Sequence, residues 1–169
     1  MGATSLRLAV DTNVLLDLAD RDETVLDAVQ VLEERIPHAD WLVPPSVLDE
    51  VAFLADAGDT LAVRESATEA FLLIRERTHL RALLDLPFPQ QQIRRVADEL
   101  RGCELIPMSE VHDSFILAEA AFLGCAILLS SDAHLCGIDH ELLTLRLNPF
   151  GVTPPVIASP REIVRKFFR

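Results

Sequence analysis

The sequence predicts an α/β protein, with parallel strands at the centre and helices on both faces. Three observations carry that reading. Short aliphatic runs alternate with longer helical patterns along most of the chain, the signature of strands joined by helical crossovers. A chain of 169 residues suits one domain, long enough to bury roughly 70% of the surface its unfolded form exposes. Half of the residues are apolar while Gly and Pro number only 6 and 10, which excludes disordered, collagen-like and low-complexity chains.

The elements follow in order. Leu6 to Val10 is a strand candidate ending at Asp11, and Thr24 to Arg35 has helical spacing through Val25, Val29, Leu32 and Ile36 before Pro37. Trp41 to Val43 is a brief extended run. Ser46, after Pro44 and Pro45, suits an N-cap for a helix to about Ala57, ended by Gly58. Thr60 to about Leu84 reads as one or two helices, and Gln90 to Arg101 as another after Pro87 and Pro89. With no strand signal between them, residues 58–101 are expected to form a helical insertion in a single domain spanning 1–169. Glu104 to Pro107 is a strand candidate, Ser109 caps a helix to Gly124, and Cys125 to Leu129 is a buried strand followed by a turn at Ser130, Ser131 and Asp132. Leu142 to Leu147 is a further strand candidate. Pro155 to Ile157 and Ser159 to Phe168 complete the chain as a strand and a helix.

Rare residues exclude several chemistries. No two of the six glycines lie within ten positions of each other, so no glycine-rich phosphate loop exists. Lys166 is the only lysine and tyrosine is absent, which disfavours Schiff-base and lysine-dependent phosphoryl transfer. No Gly-x-Ser-x-Gly elbow is present. The net charge of −12 is opposite to that of a non-specific DNA binder. The apolar run Ala120 to Ser131 is too short to span a bilayer, and no basic segment leads into an apolar stretch at the N-terminus. Cys103, Cys125 and Cys136 are an odd count in apolar surroundings. Reduced thiols, a cytoplasmic location and no membrane association are the expectation.

Four acids stand out. In parallel sheets ligands sit beyond the carboxyl ends of strands; Asp11 closes the first strand, and Asp132 follows the strand that ends at Leu129. Glu50 falls on the helical stripe of Val47, Val51 and Leu54, whereas its neighbour Asp49 falls on the other side with Asp56. Asp113 lies one turn before Ile116 and Leu117 on their packed face. Taken singly, each has an ordinary explanation as a helix cap or a residue at the edge of a stripe. Gathered together, buried carboxylates repel one another and are stable only when protons or cations neutralise them. Mg²⁺ and Mn²⁺ prefer such oxygen donors, and paired ions of this kind serve phosphodiester cleavage.

The segments around these acids resemble PIN domains. Val10-Asp11-Thr12-Asn13-Val14-Leu15-Leu16-Asp17-Leu18 looks like the family's opening motif, and Pro45 to Val51 resembles the segment with its second acid. His112 to Ala120 resembles the third, and Leu128 to Leu135 the fourth. The spacings of 39 from Asp11 to Glu50 and 19 from Asp113 to Asp132 suit the family, as does the tail Pro155 to Ile163. The resemblance implies a three-layer α/β/α fold with a central parallel sheet of about five strands. It also implies a metal-dependent endoribonuclease that hydrolyses RNA with a Mg²⁺- or Mn²⁺-activated water, leaving a 5′-phosphate and a 3′-hydroxyl. On this resemblance Asp11, Glu50, Asp113 and Asp132 are both the catalytic and the metal-binding acids. Asn13 supports the first acid, and Ser130 helps to order the site. Many bacterial members are VapC-type toxins held inactive by an antitoxin, and dimers are common; Phe71, Leu72 and Leu73 offer an apolar surface for one. The chain departs from the pattern in its long separation of Glu50 from Asp113, and in His134, which stands where some relatives carry a further acid.

Positive charge for a phosphate backbone is expected from Arg75, Arg77, Arg81, Arg94, Arg95 and Arg101, or from Arg161, Arg165, Lys166 and Arg169. His134, Cys136 and His140 fit no common zinc spacing, and His112 reads as a surface histidine. A dehalogenase-like phosphatase with Asp11 as nucleophile wants a second Asp where Asn13 stands, and a well-placed lysine, for which the chain offers only Lys166. The remaining alternative is a PIN-fold module that binds RNA or protein without cutting, which the strong acidity favours.

Overall fold

The computed structural model describes residues 5–77 and 79–167; the readings placed on the N-terminal residues 1–4, on Phe168 and on Arg169 lie outside them. Five strands form one all-parallel sheet: β1 (Arg7–Val10), β2 (Asp40–Val43), β3 (Leu80–Ala82), β4 (Ile127–Leu129) and β5 (Val156–Ala158). Their order is β3-β2-β1-β4-β5. The central strands are apolar because both faces are covered: Leu8, Ala9, Val10, Leu42, Val43, Leu128 and Leu129 are all buried. From β1 the chain moves outward to β2 and β3, then returns to lay β4 on β1's other side. The strand order therefore reverses between β1 and β4, and the crevice beyond their carboxyl ends is the place where such sheets bind ligands.

Nine helices occur among the described residues. Between β1 and β2 run α1 (Thr12–Ala19) and α2 (Glu23–Arg35). Next come α3 (Pro45–Ala57) and α4 (Leu61–Glu76), then α5 (Gln90–Gly102) and α6 (Val111–Phe122) before β4. After it follow α7 (Ala133–Cys136), α8 (His140–Leu147) and, beyond β5, α9 (Pro160–Phe167). Helix α9 packs on α2, while α6 packs on both α3 and α5. Helix α5 is clearly amphipathic, burying Ile93, Val96, Ala97 and Leu100 at i, i+3, i+4 and i+7. Helix α6 is buried on most sides, from Ser114 and Ile116 through Ala121. Gly124, at φ +65°, takes the left-handed conformation that lets the chain leave α6 and enter β4.

The three-layer architecture and the parallel sheet match the expectation; several elements differ from it. The stretch 58–101 is not purely helical, for it carries the edge strand β3, and Arg81 lies on that strand. Leu142 to Leu147 is helix, because Asp139 caps it and the buried leucines, Leu143 and Leu147, are four residues apart. Glu104 to Pro107 forms no strand: Glu104 sits at φ +60°, and Ile106 is buried with its N–H on Leu100 C=O. Helix α1 buries Val14, Leu15 and Leu18. Ser46 and Ser109 cap nothing. Helix α3 begins with Pro45 after Pro44, and α6 begins after Glu110. The three cysteines are free thiols.

Candidate active site

The site is built outward from the end of β1. Asp11 is 2% exposed, and its N–H donates to Leu129 C=O at 2.9 Å, tying the ends of β1 and β4 together. It also caps α1, so its side chain is fixed where strand turns into helix. Thr12 N–H donates to its Oδ1 at 2.7 Å and the buried Ser130 hydroxyl to its Oδ2 at 2.6 Å. Ser130 Oγ in turn accepts the Asp132 N–H at 3.0 Å. Asp132 caps α7, with Oδ1 accepting from His134 N–H at 2.7 Å and Leu135 N–H at 3.0 Å. On the other flank, Thr12 Oγ donates to Glu50 Oε2 at 2.5 Å, reaching from α1 to α3. A continuous chain of hydrogen bonds thus links Glu50, Thr12, Asp11, Ser130 and Asp132.

Asp113 closes the group from α6. Burial pushes its carboxyl up to about 7, and the charges of Asp11, Asp132, Glu110 and Glu50 add to the rise. Asp11 is pushed up to about 6, first by burial. Its hydrogen bonds from Ser130 and Thr12 oppose the rise, while the Glu50 and Asp132 charges add to it. The four acids singled out in the sequence therefore stand within electrostatic reach of one another, at the point where the strand order reverses.

Asn13 does not take the supporting part expected of it. It is exposed and makes no hydrogen bond to Asp11 among the described residues; Thr12 and Ser130 do so instead. Thr12 follows Asp11 directly, and a hydroxyl at the first position of a helix whose cap is an acid was the available signal. Glu119 was also missed. It is 3% exposed on α6, and its carboxylate accepts from Ser46 N–H at 3.0 Å and Ser46 Oγ–H at 2.8 Å. Pro44 offers α3 no side-chain cap, so Glu119 satisfies that helix end from across the interface. Burial raises the Glu119 carboxyl, the two Ser46 hydrogen bonds oppose it, and the Asp49 charge adds to the rise. The signal for it was a single acid inside an otherwise apolar run from Phe115 to Phe122.

Several anticipated cations are engaged elsewhere. Arg81 lies 3.9 Å from Asp40 and Arg101 is paired with Asp98 at 2.5 Å, while Arg95 stands over the Phe150 ring at 5.9 Å. His112, His134 and His140 are exposed. Cys136 donates to Ser130 C=O at 3.2 Å, and burial pushes its thiol up to about 11, so it is no thiolate ligand.

Among the described residues, no three His, Cys, Asp or Glu side chains stand close enough to close around an ion. The donor chemistry nonetheless fits one. Every donor is a hard carboxylate oxygen, and the acids' own charges add to the burial that raises the carboxyls of Asp11 and Asp113. A Mg²⁺-like ion usually takes only one or two carboxylates and keeps several waters, so a closed cage is not required.

Comparison with known proteins agrees with this fold. A search of curated proteins finds no match. Among solved structures, the chain is similar to one in the crystal structure of VapBC2 from Rickettsia felis bound to a DNA fragment from their promoter. The TM-score is 0.61 at 11% identity, over 91% of this chain and 98% of that one, a likeness of fold. A family model described as PIN domain matches residues 8–141, from β1 into α8 and across all four acids. PIN domains are generally nucleases, and PIN nucleases generally use divalent metals. The chain belongs to the PIN domain family.

Proposed function

We propose that this PIN protein is a metal-dependent endoribonuclease, with Asp11, Glu50, Asp113 and Asp132 holding one or two Mg²⁺ or Mn²⁺ ions at the end of β1. The observation that carries the proposal is the convergence of four acids whose mutual repulsion helps to raise Asp11 and Asp113. A divalent ion bound there supplies the positive charge that admits a phosphodiester and the Lewis acidity that activates water.

The protein's own residues prepare the site. Ser130 and Thr12 fix both oxygens of Asp11, so its remaining lone pairs have set directions. Thr12 aims Glu50 from α3. The α7 cap holds one oxygen of Asp132 and leaves the other free. Asp113, with its raised carboxyl, carries a proton near neutral pH when no cation is present and gives it up when one binds. The products are a 5′-phosphate and a 3′-hydroxyl.

The VapBC2 likeness supports a toxin role with an antitoxin partner, and a homodimer belongs to the same proposal. The lack of three preassembled ligands among the described residues favours a second reading, a PIN module that binds without cutting. Incubation of single-stranded RNA with the protein separates the two. The nuclease reading expects cleavage in Mn²⁺ or Mg²⁺, none in EDTA, and at least a hundredfold loss in Asp11→Asn. RNA binding with no cleavage in either metal would favour the module.

A further inference from the structure

Beside the four acids lies a polar cavity of about 410 Å³, lined by Asp17, Asp22, Thr24, Ser131, Ser159 and Arg161. It opens at the carboxyl end of the sheet, on the β5 side of the acids. Ser131 stands between Ser130 and Asp132, and Ser159 follows Ala158, whose C=O accepts the Ser130 N–H at 3.1 Å. Asp17 comes from the same short helix that Asp11 caps.

Its chemistry is unspent. Among the described residues, Arg161 pairs with no acid, and the Asp17 carboxylate and the Thr24 and Ser131 hydroxyls make no hydrogen bond. Asp22 is occupied in capping α2 through Val25 N–H at 3.0 Å. The Ser159 hydroxyl is occupied in a reciprocal cap with Glu162, which fixes the first turn of α9 and with it the backbone of Arg161. What remains facing the cavity is one guanidinium, the acceptor-only carboxylate of Asp17, the second oxygen of Asp22 and two hydroxyls. A guanidinium recognises phosphate, whereas a carboxylate repels it and must find a donor. In one ribonucleotide both needs are met, because the donor nearest the phosphate is the sugar's 2′-hydroxyl. That group is what distinguishes RNA from DNA.

We propose that this cavity is the subsite for the nucleotide next to the one cleaved, with Arg161 on its phosphate and Asp17 accepting from its 2′-hydroxyl. The inference rests on the RNA reading of the acid site and adds to it a ribose-selecting contact outside the four acids.

The test is fluorescence anisotropy with a short single-stranded oligoribonucleotide and its deoxy counterpart, in an Asp113→Asn background without divalent ions. There the strand is not cut and the acids repel it less. Adding Arg161→Ala should weaken RNA binding about tenfold and reduce the slope of log K against log salt by about 0.7, the share of one single-strand phosphate. Arg146→Ala, on α8 outside the cavity and paired with Glu99, should do neither. Asp17→Ala should weaken RNA while leaving DNA unchanged or tighter. If Asp17→Ala tightens both strands equally, Asp17 is only a repulsive neighbour and the inference is overturned; it is equally overturned if Arg161→Ala behaves as Arg146→Ala, or if no RNA binds. Cleavage in Mn²⁺ keeps the two readings apart. A cutting protein whose KM ignores Arg161→Ala retains the nuclease reading and loses the subsite. A protein that binds RNA through Arg161 and Asp17 without cutting retains the subsite and loses the nuclease.

Discussion

Ser130 shows how one hydroxyl can govern an acid site. It donates to Asp11 and accepts from Asp132 N–H while fully buried. Ser130→Ala removes the donor that restrains the rise of the Asp11 carboxyl, so ionisation of Asp11 moves to higher pH. Cleavage should fall at pH 7 and recover in part by pH 8, seen as an alkaline shift of the acid limb of the rate profile. The variant should also lose about 1–3 kcal/mol of stability. Without metal the raised carboxyls have a definite sign. The folded protein keeps protons on Asp11 up to about pH 6 and on Asp113 up to about pH 7, whereas the unfolded chain releases them near 3.8. The native state binds more protons across that window, so the contribution of this pair to stability declines as pH rises from about 4 to 7. For Asp11 the decline is on the order of 3 kcal/mol. Denaturant midpoints measured against pH in EDTA should show it, and Asp113→Asn should flatten the slope; an unchanged slope would contradict the coupling. The four acids were legible because each breaks a local pattern, at a strand end or on a helical stripe. Thr12 and Ser130 break no pattern, since a serine or threonine beside an acid is common in any sequence; only the family resemblance points to Ser130.

At the scale of elements, the α3–α6 contact sets where Glu50 and Asp113 stand. Glu119 crosses that contact to the first turn of α3 through two hydrogen bonds on Ser46. Glu119→Ala leaves the Ser46 N–H and hydroxyl without their partner and should cost about 1–3 kcal/mol. It should also lower cleavage by displacing Glu50, although Glu119 is not among the proposed ligands. Glu119→Gln, which keeps an acceptor, should recover much of both. Equal loss in the two variants would mean that the charge, not the hydrogen bonds, matters there. None of this was readable from the chain, because the partners lie 73 residues apart. The same limit explains β3, whose three residues are too few to display a period and whose strand character comes from pairing with β2. The run Leu142 to Leu147 resembles a strand in the sequence for the opposite reason: its apolar density hides a four-residue spacing that only burial reveals.

For the whole molecule, topology and charge act together. The order β3-β2-β1-β4-β5 opens its crevice between β1 and β4, and Asp11 and Asp132 follow those two strands in the sequence. The alternation of strands and helices made the fold legible, and the strand-end position of the two acids made the crevice legible. The order of the strands entered only with the structure. A protein of net charge −12 that gathers four of its acids in one crevice gains from any cation that binds there, and only its native state gathers the four. The most direct test is thermal unfolding in EDTA and then in Mn²⁺ or Mg²⁺, on the wild type and on Asp113→Asn. Selective binding to the native state raises the midpoint. The metal-centre account predicts a rise in the wild type that is lost or strongly reduced in Asp113→Asn, with the variant at least as stable as the wild type in EDTA at pH 8. A wild-type midpoint indifferent to both metals, or an Asp113→Asn protein that unfolds without them, would contradict it and make these acids structural.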